Sequence, residues 1–279
     1  MSWLIEQYRR SASARDKLEL FRLSPHSYYV GDHWVGVILI TTDDGIVMLD
    51  SGITGHMDFI YACIQKLGYD PQKDIKLCLL SHCHSDHCSG MARLQRETAP
   101  IVYMSALECA WPGTPDCYAG LPADIDPVEP FRADRFYTYD APICHGEFAF
   151  RAVHTPGHTP GTTSFFYTDT ATDGTVYRVG FHGGMGINTL QDRCFCDVKQ
   201  AHRAREDYRQ SMERLLKESV DITISNHGGN MALLERVGKD SMDYRPFIAS
   251  GFWRTHIEKS CLFSPKWYIA AALTISKNL

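Results

Sequence analysis

Four side chains that can bind metal ions stand within six consecutive positions, in the pattern H-x-H-x-D-H. Residues two apart on an extended segment point to the same side, so His82 and His84 can bind one ion together. Asp86 and His87 follow the bend and can face a second ion. Neutral imidazole suits zinc, and a carboxylate adds a harder, charged ligand. The alternative is three surface histidines beside a helix-capping aspartate, but isolated histidines rarely cluster in this way.

Two more histidines stand at predicted strand ends farther along the chain. His158 lies in a T-P-G-H-T-P-G turn, where proline and glycine present the ring at a fixed angle. His227 follows the buried strand predicted for 221–225. Strand ends at one face of a sheet commonly converge on a site, and two four-coordinate ions need about six protein ligands plus water. The predicted ligands divide into two groups: His82, His84 and His158, and Asp86, His87 and His227.

The segments that must position these ligands alternate between strand and helix patterns. The apolar run 75–80 precedes the H-x-H-x-D-H motif as a buried strand, and a helix is predicted from near Ser89 to 98. A hairpin with an Asp-Gly turn spans 34–49, and residues 56–67 place their apolar side chains on one helical face. This rhythm predicts an α/β layer architecture. Further strands are predicted at 27–30, 101–104, 147–153, 163–167 and 175–181, and a further helix at 201–220.

Three residues near the predicted site have two interpretations each. Asp50 ends the second strand of the hairpin, where it could accept a hydrogen bond from the metal-binding loop or simply form a turn. Residues 105–145 form a long irregular segment, of the kind that often serves as a lid or binding loop. Within it, Trp111 and Tyr118 could line an apolar substrate pocket or anchor the loop to the core.

Composition narrows the class of protein. The 279 residues carry a net charge of −5 with no basic run, which argues against nucleic acid as a partner. No stretch is long enough to span a bilayer, 267–275 being too short, and the first ten residues lack the apolar core of a signal peptide. Cys83 and Cys88 beside the ligands would be a liability in an oxidising compartment. The chain is therefore expected to be cytoplasmic, or periplasmic or secreted if a leader was removed.

With these motifs, the chain resembles a metallo-β-lactamase-fold hydrolase over nearly its whole length. The matching pieces are Leu49-Asp-Ser-Gly52, the H-x-H-x-D-H run, the T-P-G-H-T-P-G-T-T-S run ending at Ser164, and Ser225-Asn-His227. Within the superfamily the chain is most similar to the third subclass of metallo-β-lactamases, whose C-terminal helix the stretch 235–248 also resembles. The resemblance implies an α/β fold, a four-layer αββα sandwich. Residues 1–279 are then expected to form one domain, with 1–20 as an N-terminal arm or helix.

The resemblance also implies a zinc-dependent hydrolase that acts on a small molecule and uses two Zn²⁺ ions, although iron or manganese stays open. The two ions would lower the pKa of a shared water from about 15.7 toward about 7 and so supply hydroxide. That hydroxide would open a cyclic amide of the β-lactam type, an activity that causes antibiotic resistance. Asp86 and His227 are the expected catalytic residues, Asp86 by orienting the water. The oligomeric state is not indicated.

The chain departs from its relatives after the strand predicted at 175–181. Glyoxalase II, RNase Z and lactone-hydrolysing relatives place a metal-bridging aspartate there, and its absence favours the lactamase pattern. Third-subclass lactamases, however, usually carry serines in this segment that help to hold the substrate carboxylate. Glycine occupies these positions here: Gly183, Gly184 and Gly186. A lactone or thioester hydrolase of the same fold is therefore the alternative function.

Two other classes of protein are disfavoured. A redox or metal-sensing relative would carry an acidic residue in place of His87 and a fused flavin domain. A pure binding module would have little reason to keep a preassembled dinuclear site. The spare histidines His154 and His182 could be extra ligands or partners of ligands, but a structural role is favoured. Cys83 and Cys88 are not expected to be ligands.

Overall fold

The computed structural model describes residues 5–6, 17–118, 124, 126–194, 198–228 and 233–262. Most of the predicted N-terminal arm, 1–20, lies outside the described residues, as does the apolar run 267–275. Among the helices within the described ranges, none combines the length and the apolar character that crossing a bilayer would take.

A seven-stranded sheet is formed by the N-terminal part of the described chain. Its order follows the sequence, with antiparallel pairing up to the fourth strand and parallel pairing from the fourth to the seventh. The strands are β1 (Phe21–Arg22), β2 (Ser27–Gly31), β3 (Gly36–Thr42), β4 (Gly45–Leu49), β5 (Ile75–Leu79), β6 (Ile101–Met104) and β7 (Arg135–Phe136).

A five-stranded sheet follows, in the order β12-β11-β10-β9-β8. Neighbouring strands are antiparallel except for the last pair, β11 and β12, which is parallel. The strands are β8 (Ile143–His145), β9 (Phe148–His154), β10 (Thr163–Thr170), β11 (Val176–Phe181) and β12 (Ile222–Ile224).

Helices cover the outer faces of both sheets. They are α1 (Met57–Lys66), α2 (Pro71–Asp74), α3 (Ser85–Cys88), α4 (Met91–Thr98), α5 (Val198–Leu215) and α6 (Phe252–Leu262). Side chains of α1 and α4 pack on the seven-stranded sheet, and those of α5 and α6 pack on the five-stranded sheet. Short 3₁₀ turns connect them: Thr54–His56, Ala106–Glu108, Pro115–Tyr118, Asn188–Leu190, Asp192–Cys194, Leu234–Arg236 and Arg245–Phe247.

The two-residue period of β3 explains the layered arrangement. Ile38 and Ile40 point into the core between the two sheets, where Phe165 of β10 and Phe181 of β11 meet them. The alternating residue Leu39 points the other way, toward α1. Because successive strand residues face opposite sides, β3 contributes side chains both to the core between the two sheets and to the core between its sheet and the helices. Burying each such side chain stabilises the fold by about 1.5–3 kcal/mol. The predicted α/β, αββα sandwich is confirmed.

Most predicted elements are confirmed within one or two residues, and two predictions are wrong. The helix predicted for 201–220 ends at Leu215, where the chain turns. Asp221, immediately before β12, then accepts a hydrogen bond from Arg178 of β11. The described part of 105–145 is largely irregular, as predicted, and its strands β7 and β8 are too short to show periodicity. Within 235–248 the structure has only two 3₁₀ turns, and α6 comes later. Pro246 lacks the N–H that a longer helix would need.

Candidate metal centre

The six predicted ligands come together at one rim of the sandwich. His82 and His84 follow β5, His158 lies between β9 and β10, and His227 follows β12. Their donor atoms form two groups, and the atoms of each group lie within 4.8 Å of one another. The first group is His82, His84 and His158; the second is Asp86, His87 and His227. This is the division that the sequence predicts.

Distances within the two groups match what a tetrahedral ion requires. In the first group, Nε2 of His158 lies 3.0 Å from Nδ1 of His84 and 3.2 Å from Nε2 of His82. In the second, Nε2 of His227 lies 3.1 Å from Nε2 of His87 and 3.3 Å from Oδ2 of Asp86. A zinc ion with Zn–N distances of about 2.0–2.1 Å holds its ligand atoms about 3.3 Å apart. The donor set therefore fits two ions.

The loop after β5 explains how four ligands fit into six positions. His84 has extended backbone angles, φ −73° and ψ 149°, and stands immediately before α3. Asp86 and His87 lie on that short helix, whose first turn is closed by a hydrogen bond from the His87 N–H to the His84 carbonyl at 2.9 Å. The extended pair, His82 and His84, thus belongs to the first group, and the helical pair, Asp86 and His87, belongs to the second. The helix predicted from near Ser89 to 98 corresponds to α4, Met91–Thr98, and α3 is a separate short helix that the sequence did not predict.

Four of the five ligand histidines have an oxygen partner at the nitrogen that does not face the donor group. Such a partner fixes the tautomer and the ring orientation and leaves the other nitrogen free to bind metal. The pairs are His82 Nδ1 with Ser81 Oγ (3.0 Å), His87 Nδ1 with Asp50 Oδ2 (2.7 Å), His158 Nδ1 with the Gly186 carbonyl (2.6 Å), and His227 Nδ1 with the Trp34 carbonyl (2.8 Å).

Asp50 joins the ligand loop to two other strand ends. Its Oδ1 accepts the backbone N–H of Ser81 at 2.5 Å, and its Oδ2 accepts the Ser81 hydroxyl at 2.7 Å. The same Oδ2 accepts from His87 Nδ1 and from the side-chain amide of Asn226. The side chain is fully buried, and its φ of +64° is unusual for a residue other than glycine. The prediction that Asp50 accepts a hydrogen bond from the metal-binding loop is confirmed.

Burial keeps the first group uncharged. It lowers the pKa of His82 and His84 well below the usual value, and that of His158 to about 4. In the second group, burial alone would raise the pKa of Asp86, but the imidazoles of His87 and His227 outweigh it and hold that pKa below its ordinary range. Neutral imidazole and ionised carboxylate are the forms that bind metal, so the first group needs little proton release near neutral pH. His87 differs, because Asp86 and Asp50 raise its pKa and the ring must give up a proton when it binds metal.

Glycines around His158 are required by close packing. Gly157 has a φ of +130°, and a Cβ there would lie 2.4 Å from Cα of Tyr208. A Cβ at Gly183 would lie 1.9 Å from the Thr163 carbonyl oxygen, and one at Gly184 would lie 2.8 Å from Cδ2 of His158. Side chains at 183 and 184 would therefore displace the backbone or His158. This explains in physical terms why the segment after β11 carries no serine at these two positions.

A cavity of about 680 Å³ opens beside the first group, next to His84 and His158. Trp111 lines it, with its ring centroid 6.4 Å from that of His84, so the pocket interpretation of Trp111 is supported. Tyr118 instead anchors the loop: it is buried, and its hydroxyl accepts the N–H of Val128 at 2.8 Å. Other lining residues include Leu107, Asp116, Pro156, Pro160, Thr189, Arg203 and Asp207.

The spare histidines lie outside both ligand groups. His154 Nε2 is 2.8 Å from the Pro160 carbonyl, and its ring stacks on Tyr139 at 5.1 Å. His182 is buried, with its ring centroid 5.7 Å from that of His256. The contacts of His182 support the structural role that the sequence favours, whereas His154 also lines the cavity beside the first group. Cys83 and Cys88 are buried beneath the ligand loop, where the Cys88 thiol donates to the Cys83 carbonyl at 3.4 Å.

Sequence reasoning missed Glu108 and the two carbonyl groups of Trp34 and Gly186 that orient ligand rings. Glu108 is buried, and its carboxylate accepts the backbone N–H groups of Cys83 and Gly161. A single glutamate in an irregular segment gives no sequence signal. Backbone carbonyls are present at every residue, so only the fold shows which of them meet a ligand.

Residues 30–170, about half of the chain, match the Metallo-beta-lactamase superfamily. The chain is 28% identical to the probable metallo-hydrolase YqgX of Bacillus subtilis over 164 residues, which are 58% of this chain and 73% of that protein. It is 35% identical to the N-acyl homoserine lactonase AttM of Agrobacterium fabrum over 111 residues, which are 37% of this chain and 39% of AttM. The match thus spans less than half the length of AttM.

Solved structures agree over more of the chain. A metallo-β-lactamase from Cronobacter sakazakii has a TM-score of 0.80 and 25% identity, covering 95% of this chain and 98% of that one. The class B3 di-zinc metallo-β-lactamase LRA-12 from an Alaskan soil metagenome has a TM-score of 0.78 and 22% identity, covering 90% and 94%.

A sandwich of this kind, with two donor groups at its rim, defines a class: metallo-β-lactamase-like hydrolases with candidate metal-binding groups. The chain belongs to the metallo-β-lactamase superfamily. Solved structures that share its fold include enzymes of class B3, the third subclass, as the sequence predicted.

Proposed function

We propose that this protein is a dinuclear zinc hydrolase that opens a cyclic amide in a small molecule, of the β-lactam type. One observation carries the proposal: five imidazoles and one carboxylate form two three-atom donor groups with the spacing that two tetrahedral ions need. Zinc is the proposed metal because histidine predominates among the donors. The di-zinc enzyme LRA-12, which shares the fold, supports both the metal and the number of ions.

Two bound zinc ions would supply the chemistry by lowering the pKa of a water and polarising a carbonyl group. The chain itself contributes Asp86 and His227 as the proposed catalytic residues, with Oδ2 and Nε2 3.3 Å apart. The lowered pKa of Asp86 keeps its carboxylate ionised at neutral pH, where it can accept a hydrogen bond from the water and orient it. His227 is fixed by its hydrogen bond to the Trp34 carbonyl, so its Nε2 faces the same place.

The cavity beside the first group is the proposed substrate site. Trp111, Leu107 and the prolines of the His158 loop give it apolar walls. Such walls suit the apolar part of a small molecule, while a few polar groups fix its orientation. Arg203, Asp116 and Asp207 supply charge at its edge.

A lactone or thioester hydrolase is the second candidate. The observation that favours it is the close packing at Gly183 and Gly184, which leaves no hydroxyl there to hold the carboxylate of a β-lactam. The partial match to the lactonase AttM supports it further. Both candidates share the proposed metal groups and differ only in the ring or ester that is opened.

A substrate panel separates the two candidates. The zinc-loaded protein is assayed with nitrocefin, a carbapenem, an N-acyl homoserine lactone and a glutathione thioester, each with and without a chelator. The proposal predicts β-lactam turnover that the chelator abolishes and that added zinc restores. Turnover of the lactone or the thioester alone would replace the first candidate by the second. Chelator-resistant turnover, unchanged in His158→Ala, would contradict both.

We also propose that residues 1–279 form one domain, since side chains from both sheets share the core between them. A reducing compartment such as the cytoplasm is the proposed location. The location is supported by three buried free cysteines beside the ligand loop, Cys83, Cys88 and Cys117, whose thiols interact with one another.

A further inference from the structure

Glu108 lies on the 3₁₀ turn that follows β6. Ser105 begins this turn, and its hydroxyl accepts the N–H of Leu107 at 3.3 Å. The turn directs Glu108 inward, where only 1% of its surface is exposed. A carboxylate buried to this extent is expensive unless strong hydrogen bonds satisfy it. Its partners therefore show what it holds in place.

Both carboxylate oxygens of Glu108 accept backbone N–H groups from ligand loops. Oε2 accepts from Cys83 at 2.7 Å, and Oε1 accepts from Gly161 at 2.7 Å. Cys83 stands between the ligands His82 and His84. Gly161 closes the turn that presents His158, three residues earlier. One side chain thus binds both loops that together supply the first donor group. Hydrogen bonds to a charged acceptor are about twice as strong as neutral ones.

The His158 loop is shaped to admit this carboxylate. A Cβ at Gly161 would lie 2.8 Å from Oε1 of Glu108 and 2.7 Å from Cβ of Ser105. Any larger residue at 161 would therefore push the carboxylate away from the loop. The hydrogen bonds from Cys83 and Gly161 thus converge on one carboxylate.

We propose that Glu108 is a positioning residue for the first donor group, fixing the separation of the His82–His84 segment from His158 and so the metal affinity of that group. The second group contacts a different buried carboxylate, that of Asp50, which accepts from His87 directly and reaches His82 of the first group only through the Ser81 hydroxyl. The inference rests on the proposed function, because it requires the first group to bind an ion. It adds a supporting carboxylate that joins the two loops of the first group, beside the one that contacts His87 in the second.

A hydrogen bond that does not involve Glu108 also joins the two loops. We therefore expect a substitution at Glu108 to change the positions of the histidines without unfolding the protein. The Thr163 N–H donates to the Ser81 carbonyl at 2.9 Å. In Glu108→Gln, an amide NH2 replaces one of the two accepting oxygens and cannot accept from the backbone N–H that it faces. One of the two loops therefore loses its hydrogen bond to residue 108. Because groups that orient a metal ligand typically account for 10- to 100-fold in affinity, we expect a loss of about that size at the first group.

The experiment measures zinc affinity by chelator competition in two single-site backgrounds. His227→Ala leaves the first donor group intact, and His158→Ala leaves the second. We expect Glu108→Gln to weaken zinc binding about 10- to 100-fold in the His227→Ala background and less than about 3-fold in the His158→Ala background. The matched control is Asp169→Asn. Asp169 is another buried carboxylate, which accepts from Ser24 and His26 near the end of β10 that is opposite to the His158 loop.

Three results would overturn the proposal. Equal losses in the two backgrounds, or an equal loss in Asp169→Asn, would show a general effect on stability. Unchanged affinity in both would show that Glu108 does not position the ligands. If Glu108→Gln does not fold by circular dichroism, Gly161→Ala displaces the carboxylate instead and must show the same selectivity. Failure of the unmodified protein to bind zinc at all would contradict the proposed function itself.

Discussion

At the scale of single residues, the orientation of four of the five predicted ligand histidines is set by the oxygen partner at the nitrogen that does not face the donor group. His87 pairs with a carboxylate, His158 and His227 with backbone carbonyls, and His82 with a hydroxyl. The carboxylate partner makes His87 different, because it raises the basicity of the ring. Burial alone would lower the pKa of His87, but Asp86 and Asp50 outweigh burial and raise it.

Replacing Asp50 tests this partnership. In Asp50→Asn the side chain keeps its size, but one of its oxygens becomes an amide that cannot accept from Ser81 or His87. We expect zinc affinity in the His158→Ala background to fall about 10- to 100-fold. The free energy of unfolding should fall by about 1–3 kcal/mol, since buried donors lose their acceptor. Chelator competition and urea unfolding measure the two effects. The exposed turn variant Asp44→Asn is the control, and equal affinities would contradict the role of Asp50.

His256 provides a prediction about pH. Burial lowers its pKa to about 4, and Lys259 adds to the shift, while His182 faces it without charge because burial lowers its pKa too. Between pH 6.5 and 4 the unfolded chain takes up a proton that the folded chain does not, so stability falls as pH falls through this window. At pH 5 the expected loss is about 2 kcal/mol relative to pH 7.

The variant His256→Phe isolates this effect from the titration of other groups. The His256 ring stacks on Phe252, with ring centroids 6.5 Å apart, so an aromatic phenylalanine ring can take its place. Phenylalanine cannot be protonated. Urea unfolding gives the free energy of unfolding of both proteins at pH 7 and pH 5. From pH 7 to pH 5, the stability of the variant relative to the unmodified protein should rise by about 2 kcal/mol. A difference independent of pH would contradict the assignment.

At the scale of elements, the turn around His158 is the one most tightly constrained by packing. Gly157 has a φ of +130° and lies against the backbone of Tyr208 on α5. The helix therefore supports the turn from behind, while Gly184 and Gly186 border the ring of His158 on another side. Glycine is therefore required most strongly at 157, where φ is positive, and at 184, where a Cβ would lie 2.8 Å from the ring of His158.

Gly157→Ala is expected to destabilise the protein by about 3 kcal/mol or more, because the new Cβ must displace Tyr208 and strain the backbone. Zinc binding at the first group should weaken with it. The matched control is Gly174→Ala, which also has a positive φ, +85°, but meets nothing within 4 Å. The control should lose about 1–2 kcal/mol from backbone strain alone and keep its zinc affinity. Equal losses in urea unfolding would contradict the packing argument.

The sequence predicts the elements whose periodicity is strong and the ligands whose types are distinctive. The hairpin ending at Leu49 and helix α1 follow from local patterns and are confirmed. The six predicted ligands also follow from local patterns, and the structure brings their donor atoms together in two groups. Strand β8 is too short to show a pattern, and the end of α5 at Leu215 is imposed by tertiary contacts. Glu108 could not be identified because its role depends on two loops that meet only in the folded chain.

At the scale of the whole molecule, each donor group draws on both sheets. The loop after β5, in the seven-stranded sheet, supplies two ligands to each group. The five-stranded sheet supplies the third ligand, His158 to the first group and His227 to the second. An ion in either group would therefore connect the two sheets at their shared rim. Because the unfolded chain does not hold these ligands together, binding should stabilise the folded state.

Zinc is accordingly expected to raise the unfolding midpoint, and a chelator to lower it. At a free concentration of about 1,000 times the dissociation constant, one site stabilises the folded protein by about 4.1 kcal/mol. His158→Ala and His227→Ala should each lose one zinc per chain by metal analysis and about half of the stabilisation. Thermal unfolding with buffered zinc measures the effect, with magnesium as the control ion, since it prefers oxygen ligands. A midpoint that does not move with zinc would show that no ion connects the sheets, whatever the distances between the histidines suggest.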